Sequence, residues 1–125
     1  MDVNSLSPGA LAFVGDGYYG LLVREKLAEI NRPSGELHAM SVKLVKAGAQ
    51  ARAFKQIEDM LTDKELWIYK RGRNAHVNSI PKSASVGEYH SATGIETLFG
   101  YLHLSGQDDR AKELFEVIWQ LRNED

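Results

Sequence analysis

The chain has 125 residues, enough for one domain built on a single core of ordinary size. Apolar residues make up 43% of it and cysteine is absent, a globular composition that excludes a disulfide framework and a thiolate metal site. The net charge is −2, no run approaches the roughly 20 apolar residues a bilayer requires, and the N-terminus lacks the basic and apolar regions of a signal peptide; the expectation is a cytoplasmic protein with no membrane partner.

Helix punctuation is clear along the whole chain. Ser7-Pro8 has the form of an N-cap followed by a first-turn proline, and predicts a helix from there to about Asn31, stopped by Pro33. Ser34 is a candidate cap for a second helix, from about Gly35 to Leu61. Thr62 with Glu65, and Ser85 with Glu88, have capping-box spacing. They predict a short helix near 63–72 and a longer one near 86–104, the latter stopped by Ser105-Gly106. A last helix covers about 108–122. Ile95, Leu98, Phe99 and Leu102, then Leu114, Phe115, Ile118 and Leu121, repeat at the spacing of core-facing helices. No strand pattern, repeat or linker interrupts them. The expected fold is all-α, a bundle of about five main helices forming one domain over 1–125.

Two features depart from this regular pattern. Gly15, Gly17 and Gly20 lie inside the first helix, where each glycine costs about 0.5–1 kcal/mol relative to alanine. Either another backbone approaches closely there, or a side chain would block a site. Asp16 lies among them, on a face shared with Gly9, Ala12, Gly20, Val23 and Leu27, which predicts that it points toward packed protein. Glu96 has a similar setting beside Ala92, Thr93, Gly100 and His103. A buried carboxylate must be protonated, hydrogen-bonded, paired or metal-bound, and helix geometry alone does not choose among these.

Charge is also uneven. No acid occurs from Leu66 to Gly87, while Lys70, Arg71, Arg73, His76 and Lys82 all do. With Asn74 and Asn78 as hydrogen-bonding groups, this segment is either a solvated surface or a phosphate-binding one. Lys43 and Lys46 are a second, sparser candidate. The four histidines have no ligand spacing, although His103 could reach Glu96 from two turns away. Tyr18, Tyr19, Tyr89, Trp67 and Trp119 read as packing residues of the core or of a subunit interface.

Several strings carry a resemblance. Leu11-Ala12-Phe13-Val14-Gly15-Asp16-Gly17 resembles the signature helix of the ribonuclease III family, and Thr93 through Leu102 resembles its second acidic element. Arg71-Gly72-Arg73-Asn74-Ala75, Pro81-Lys82 and Ser91-Ala92-Thr93-Gly94 are similar to its compact Mini-III branch. The matched strings run in order from about Ser7 to Leu104. Ala12 and Thr93 stand where standard members of the family carry Glu and Asp, so the acidic set is reduced to Asp16 and Glu96, as the resemblance implies for Mini-III enzymes.

The resemblance implies a homodimeric endoribonuclease for double-stranded RNA, with Asp16 and Glu96 as its catalytic and metal-binding residues. Mg²⁺, with Mn²⁺ as substitute, fits a site of one or two carboxylates completed by substrate phosphate. The implied reaction is in-line attack by a metal-activated water, giving 5′-phosphate and 3′-hydroxyl ends. Lys70, Arg71, Arg73, Asn74, His76 and Lys82, with Lys43 and Lys46, are the expected RNA contacts. The implied substrate is a large-subunit ribosomal RNA precursor, with a large-subunit ribosomal protein as a possible helper. No separate RNA-binding domain is expected within these residues. A non-catalytic, ribosome-associated RNA-binding protein of the same fold is the competing reading, motivated by Ala12 and Thr93; a helical interaction module without nucleic acid is a third.

Overall fold

The structure is a computed structural model describing residues 1–75 and 85–124. Among these, six α-helices occur and no strand: α1 (Pro8–Ala28), α2 (Ser34–Val45), α3 (Ala47–Ile57), α4 (Asp63–Arg73), α5 (Val86–Leu104) and α6 (Asp108–Gln120). The all-helical expectation therefore holds, with one helix more than the sequence pattern indicated. Among the described residues, no helix is long and apolar enough to cross a membrane.

The caps behave as their side chains require. Ser7 Oγ accepts from the Ala10 N–H at 3.1 Å, and both capping boxes are closed, at Thr62–Glu65 and Ser85–Glu88. At the end of α5, Gly106 takes a left-handed φ of 76°, and the Gln107 N–H returns to the Leu102 carbonyl at 2.7 Å. Ser34 does not cap α2. The Pro33 carbonyl accepts the first N–H groups of that helix, with Ser34 as its first residue.

The predicted second helix is two helices. Lys46 is extended, with φ −65° and ψ 159°, and ends α2 while starting α3. Neither proline nor a side-chain cap marks the break. Its stabilising contact is a local one across the break: Gln50 Nε2 donates to the Val45 carbonyl, 2.8 Å away, which the interruption leaves without a helical partner.

Helix α5 is the axis of the bundle. Ile95, Thr97, Leu98, Phe99 and Leu102 are all fully buried, so the helix is enclosed on nearly every side by α1, α3, α4 and α6. Its closest neighbour is α1. A Cβ on Gly15 would fall on the Glu96 carbonyl oxygen, and one on Gly100 would fall on the Leu11 carbonyl oxygen. The two glycines thus face each other's backbones across the helix pair. Gly72 and Gly94 do similar work between α4 and α5, against Thr97 and Tyr69. By contrast, Gly17 and Gly20 meet nothing within 4 Å.

At the other end of the bundle, Glu65 is 5% exposed and takes a bidentate pair from Arg110, 2.9 Å at each oxygen. Arg110 also donates to the Met60 carbonyl and to Glu113, tying α6 to the start of α4. Burial pushes the Glu65 carboxyl up, but the hydrogen bonds from Arg110 and Thr62 prevail and hold it below its ordinary value.

Gly15→Ala is expected to destabilise the fold by about 1–3 kcal/mol or more, because backbone rather than a movable side chain occupies the space. Gly87→Ala, with open space around it, should be neutral or slightly stabilising. Urea unfolding of the two variants checks the contrast, and equal midpoints would contradict the packing described.

Candidate functional site

The Gly15 contact also sets the positions of the two acids. Asp16 follows Gly15 in α1, and the backbone atom that Gly15 faces belongs to Glu96. The two acids, 80 residues apart in the chain, are brought near enough that the charge of Asp16 acts on the Glu96 carboxyl. Their surroundings differ. Glu96 is half-buried, whereas Asp16 is exposed, contrary to the reading of its helix face. Gly17 and Gly20, which have no side chain to lay over it, leave Asp16 open to a cleft of about 460 Å³ lined also by Arg24, Ser41 and Val45. These two glycines keep a cleft open; Gly15 lets a helix in.

Glu96 opens on the other side of Val45, into a cleft of about 530 Å³. Lys46, Gln50, Arg52, Glu88 and Thr93 line it with Glu96. Burial first, then the charge of Asp16 and the hydrogen bond to it, push the Glu96 carboxyl up to about 8, against a downward pull from Gln50. Glu96 is therefore protonated at neutral pH when the pair is alone. A cation beside the pair would replace that proton.

Among the described residues no group of three or more His, Cys, Asp or Glu side chains converges. Thr93, one turn before Glu96 on α5, donates its hydroxyl to the Tyr89 carbonyl at 3.1 Å. Two carboxylates bordering open clefts fit an ion such as Mg²⁺, which keeps several waters, better than a closed tetrahedral site.

The cations are distributed differently from the sequence expectation. Lys46 and Arg52 border the Glu96 cleft and also a neighbouring groove of about 310 Å³, where Lys43 and Arg122 join them over a floor of Val23, Leu44, Phe115 and Ile118. None of these four cations pairs with a carboxylate among the described residues. Lys70, Arg71, Arg73 and Asn74 line neither acid-bearing cleft. Arg71 stacks on Trp67 at 5.0 Å, Arg73 lies over the Tyr69 ring at 5.8 Å, and Lys70 is exposed. His76, Asn78, Pro81 and Lys82 lie outside the described residues.

The remaining aromatic and histidine expectations divide. Tyr18 and Tyr19 are core residues, as expected, whereas Trp67 is 52% exposed beneath Lys64 and Arg71. His103 does not reach Glu96. It stacks on Tyr18 and places Nδ1 2.9 Å from Asp108, across the turn into α6.

A model of the ribonuclease III domain matches residues 9–107. The chain belongs to the ribonuclease III family. Within it, the chain is 46% identical to the Mini-ribonuclease 3 of Thermoanaerobacter sp. (strain X514) over 98% of its own length and 87% of that protein's. It is 41% identical to the Enterococcus faecalis Mini-ribonuclease 3, covering 97% of this chain and 92% of that one. A crystal structure of a Fusobacterium nucleatum protein superposes with a TM-score of 0.87 at 26% identity, over 95% and 96% of the two chains. These likenesses assign it to the Mini-ribonuclease III branch, among the double-strand-specific endoribonucleases, a family that depends on divalent metal.

The Glu96 carboxyl binds a proton in the metal-free fold up to about pH 8, whereas unfolded it releases that proton near its ordinary 4.5. Stability from this group is complete below about pH 4.5 and is lost as the pH rises toward 8. In a chelator, the melting temperature of the wild type should decline over that window more steeply than that of Glu96→Gln. Parallel pH profiles would show that Glu96 is not held in the way described.

Proposed function

We propose that this chain cleaves RNA duplexes with a divalent ion held between Asp16 and Glu96, and that it works as a homodimer in the cytoplasm. The observation that carries the reading is the meeting of two carboxylates from distant parts of the chain beside a cleft walled by Lys46 and Arg52. Mg²⁺ suits so small a donor set, with Mn²⁺ as substitute. When bound, the ion supplies Lewis-acid activation of water and neutralises charge at the scissile phosphate, for products with 5′-phosphate and 3′-hydroxyl ends.

The protein's own groups set the geometry. Asp16 stands open to solvent, where an ion can enter without the helix pair separating. Glu96, behind it, gives up its proton on binding, so ion affinity rises with pH. Lys43, Lys46, Arg52 and Arg122 form a track for a phosphate backbone leading away from the acids. Duplex RNA is recognised mostly by shape, through phosphates and 2′-hydroxyls, and such a track meets that need. Lys70, Arg71, Arg73 and Asn74, continuing toward His76 and Lys82, offer a second contact region farther along a duplex. With so few contacts available to select one RNA, a structured large-subunit ribosomal RNA precursor, presented with a large-subunit ribosomal protein, is the natural substrate we favour.

The dimer reading rests on the outer stripe of α1. Phe13 is 83% exposed and Leu21 50%, with Gly17 between them. Apolar surface of that kind marks an interaction face, and a second copy of the helix would cover it.

Incubated with a long RNA duplex and Mg²⁺, the protein should cleave, and Asp16→Asn or Glu96→Gln should each lower the rate by roughly 10²-fold or more. Cleavage surviving both substitutions would sink the site; binding without cleavage by the wild type, in Mg²⁺ or Mn²⁺, would favour the non-catalytic reading. In the Asp16→Asn background, Lys46→Gln and Arg52→Gln should weaken duplex binding and flatten its salt dependence by about one unit of slope each. Phe13→Ser should sediment as a monomer; an unchanged dimer would move the interface elsewhere.

A further inference from the structure

The groove beside the Glu96 cleft contains more than a phosphate track requires. Its volume is about 310 Å³, at the size of pockets that enclose a small molecule. Val23, Phe115 and Ile118 form an apolar floor, Tyr19 and Trp119 add aromatic rings to the lining, and no acid borders it. Lys43, Lys46, Arg52 and Arg122 do border it, none of them paired with a carboxylate among the described residues. The walls are tied together. Gln56 on α3 donates Nε2 to the Leu121 carbonyl at 2.9 Å, which holds the end of α6 against α3. Arg122 donates to the Trp119 carbonyl at 2.7 Å and lies over the Trp119 ring at 3.9 Å. The hollow is formed before anything enters it.

A paired strand uses only half of this surface. In a duplex the bases are stacked inside, and the strand presents phosphates and sugars to a protein. Such a strand satisfies the cations and leaves the apolar floor bare. An unpaired nucleotide has both parts, a flat face for the floor and a phosphate on either side for the rim. An acidic peptide offers a similar match of charge and apolar surface, but the place of the groove favours RNA. Lys46 and Arg52 line this groove and the Glu96 cleft alike, so a strand lying at the acids already passes along its rim.

We propose that the groove holds one unpaired nucleotide of the RNA substrate, its base on the apolar floor and its phosphates on Lys43, Lys46 and Arg52. This rests on the reading of those cations as a phosphate track. It gives a protein with few contacts a means of choosing among duplexes, because those with a bulge, a mismatch or a strand end near the cut bind better. The nucleotide has to be unpaired beforehand. Extracting a paired base costs its stacking and pairing, whereas a bulged one is already free.

The test is binding of the full-length protein, in chelator and at fixed salt, to two short RNA duplexes that differ only by one unpaired 2-aminopurine nucleotide. Without metal there is no cleavage, and the outcome does not depend on the ion site. The wild type should bind the bulged duplex about 10-fold more tightly than the paired one, with a change in 2-aminopurine fluorescence as the base reaches the aromatic lining. Ala49 lines the groove and is half-buried, so Ala49→Phe fills the hollow while keeping every cation and every core residue. In that variant the preference for the bulged duplex should vanish. Ala49→Leu is the milder filling if the phenylalanine prevents folding, and should reduce the preference in the same direction. A preference that persists unchanged in a folded, filled variant overturns the proposal. Equal affinities in the wild type also overturn it, and displacement of RNA by poly-glutamate or by AMP would then assign the groove to an acidic peptide or a free nucleotide. If neither duplex binds, the phosphate track is wrong and the inference falls with it; if both bind equally, the track stands and only the nucleotide pocket is lost.

Discussion

The backbone-to-backbone approach of α1 and α5 is the constraint on which the rest of the structure depends. Packed helices ordinarily stand 8–10 Å apart, held off by their side chains. At Gly15 and Gly100 those side chains are absent on both sides, and each helix lays a carbonyl where the other's Cβ would be. The contact does two things together. It seats the most buried helix of the bundle, and it brings Asp16 beside Glu96, because each acid is adjacent in the chain to, or identical with, a residue of the contact. Packing and site assembly are here one event, and no mutation can loosen the first while sparing the second.

The electrostatics around that contact are divided by helix. The acids come from α1 and α5, while the cations come from α2, the break after it, α3 and the residues just past α6. Acids placed so that one acts on the other's carboxyl repel once both are ionised, and half-burial of Glu96 intensifies this by reducing screening. A proton relieves the strain in the absence of metal, and a divalent ion would relieve it more completely. Lys46 and Arg52 lie near enough to line the same cleft as Glu96 yet form no ion pair among the described residues, so their charge remains available to an incoming phosphate.

Much of this was legible in the residues. Three N-caps, the glycine stop of α5 and the core stripe of that helix are local, and local chemistry decides them. The proposed acid pair is read from its strings, and the need for a reason behind Gly15 was legible through propensity alone. What escaped was decided by packing between helices or by side-chain contacts across a break or a turn. The break at Lys46 has no proline and no capping side chain; it exists because Gln50 and the surrounding helices accommodate the freed carbonyl. The exposure of Asp16 follows from how α2 passes α1, which a helical wheel does not contain. The cationic face was legible only in part. Lys43 and Lys46 were candidates, and with Arg52 they fall in an acid-free run of their own, from Leu37 to Ile57, but Arg122 joins them only when α3 and α6 pack. His103, which could have reached Glu96, turns instead to Asp108 across the turn into α6.

The separation of the two acids along the chain has a consequence for how the protein is made. Asp16 is translated early and Glu96 some 80 residues later, so a growing chain carries one half of its site through most of synthesis. A helix bearing Asp16 alone, however well formed, has no second carboxylate with which to hold an ion. Only when α5 has left the ribosome and α1 has closed on it are the two acids together. With Asp16 and Glu96 as the proposed ion pair, a double-strand nuclease made among structured RNA gains its site only once α5 has packed on α1.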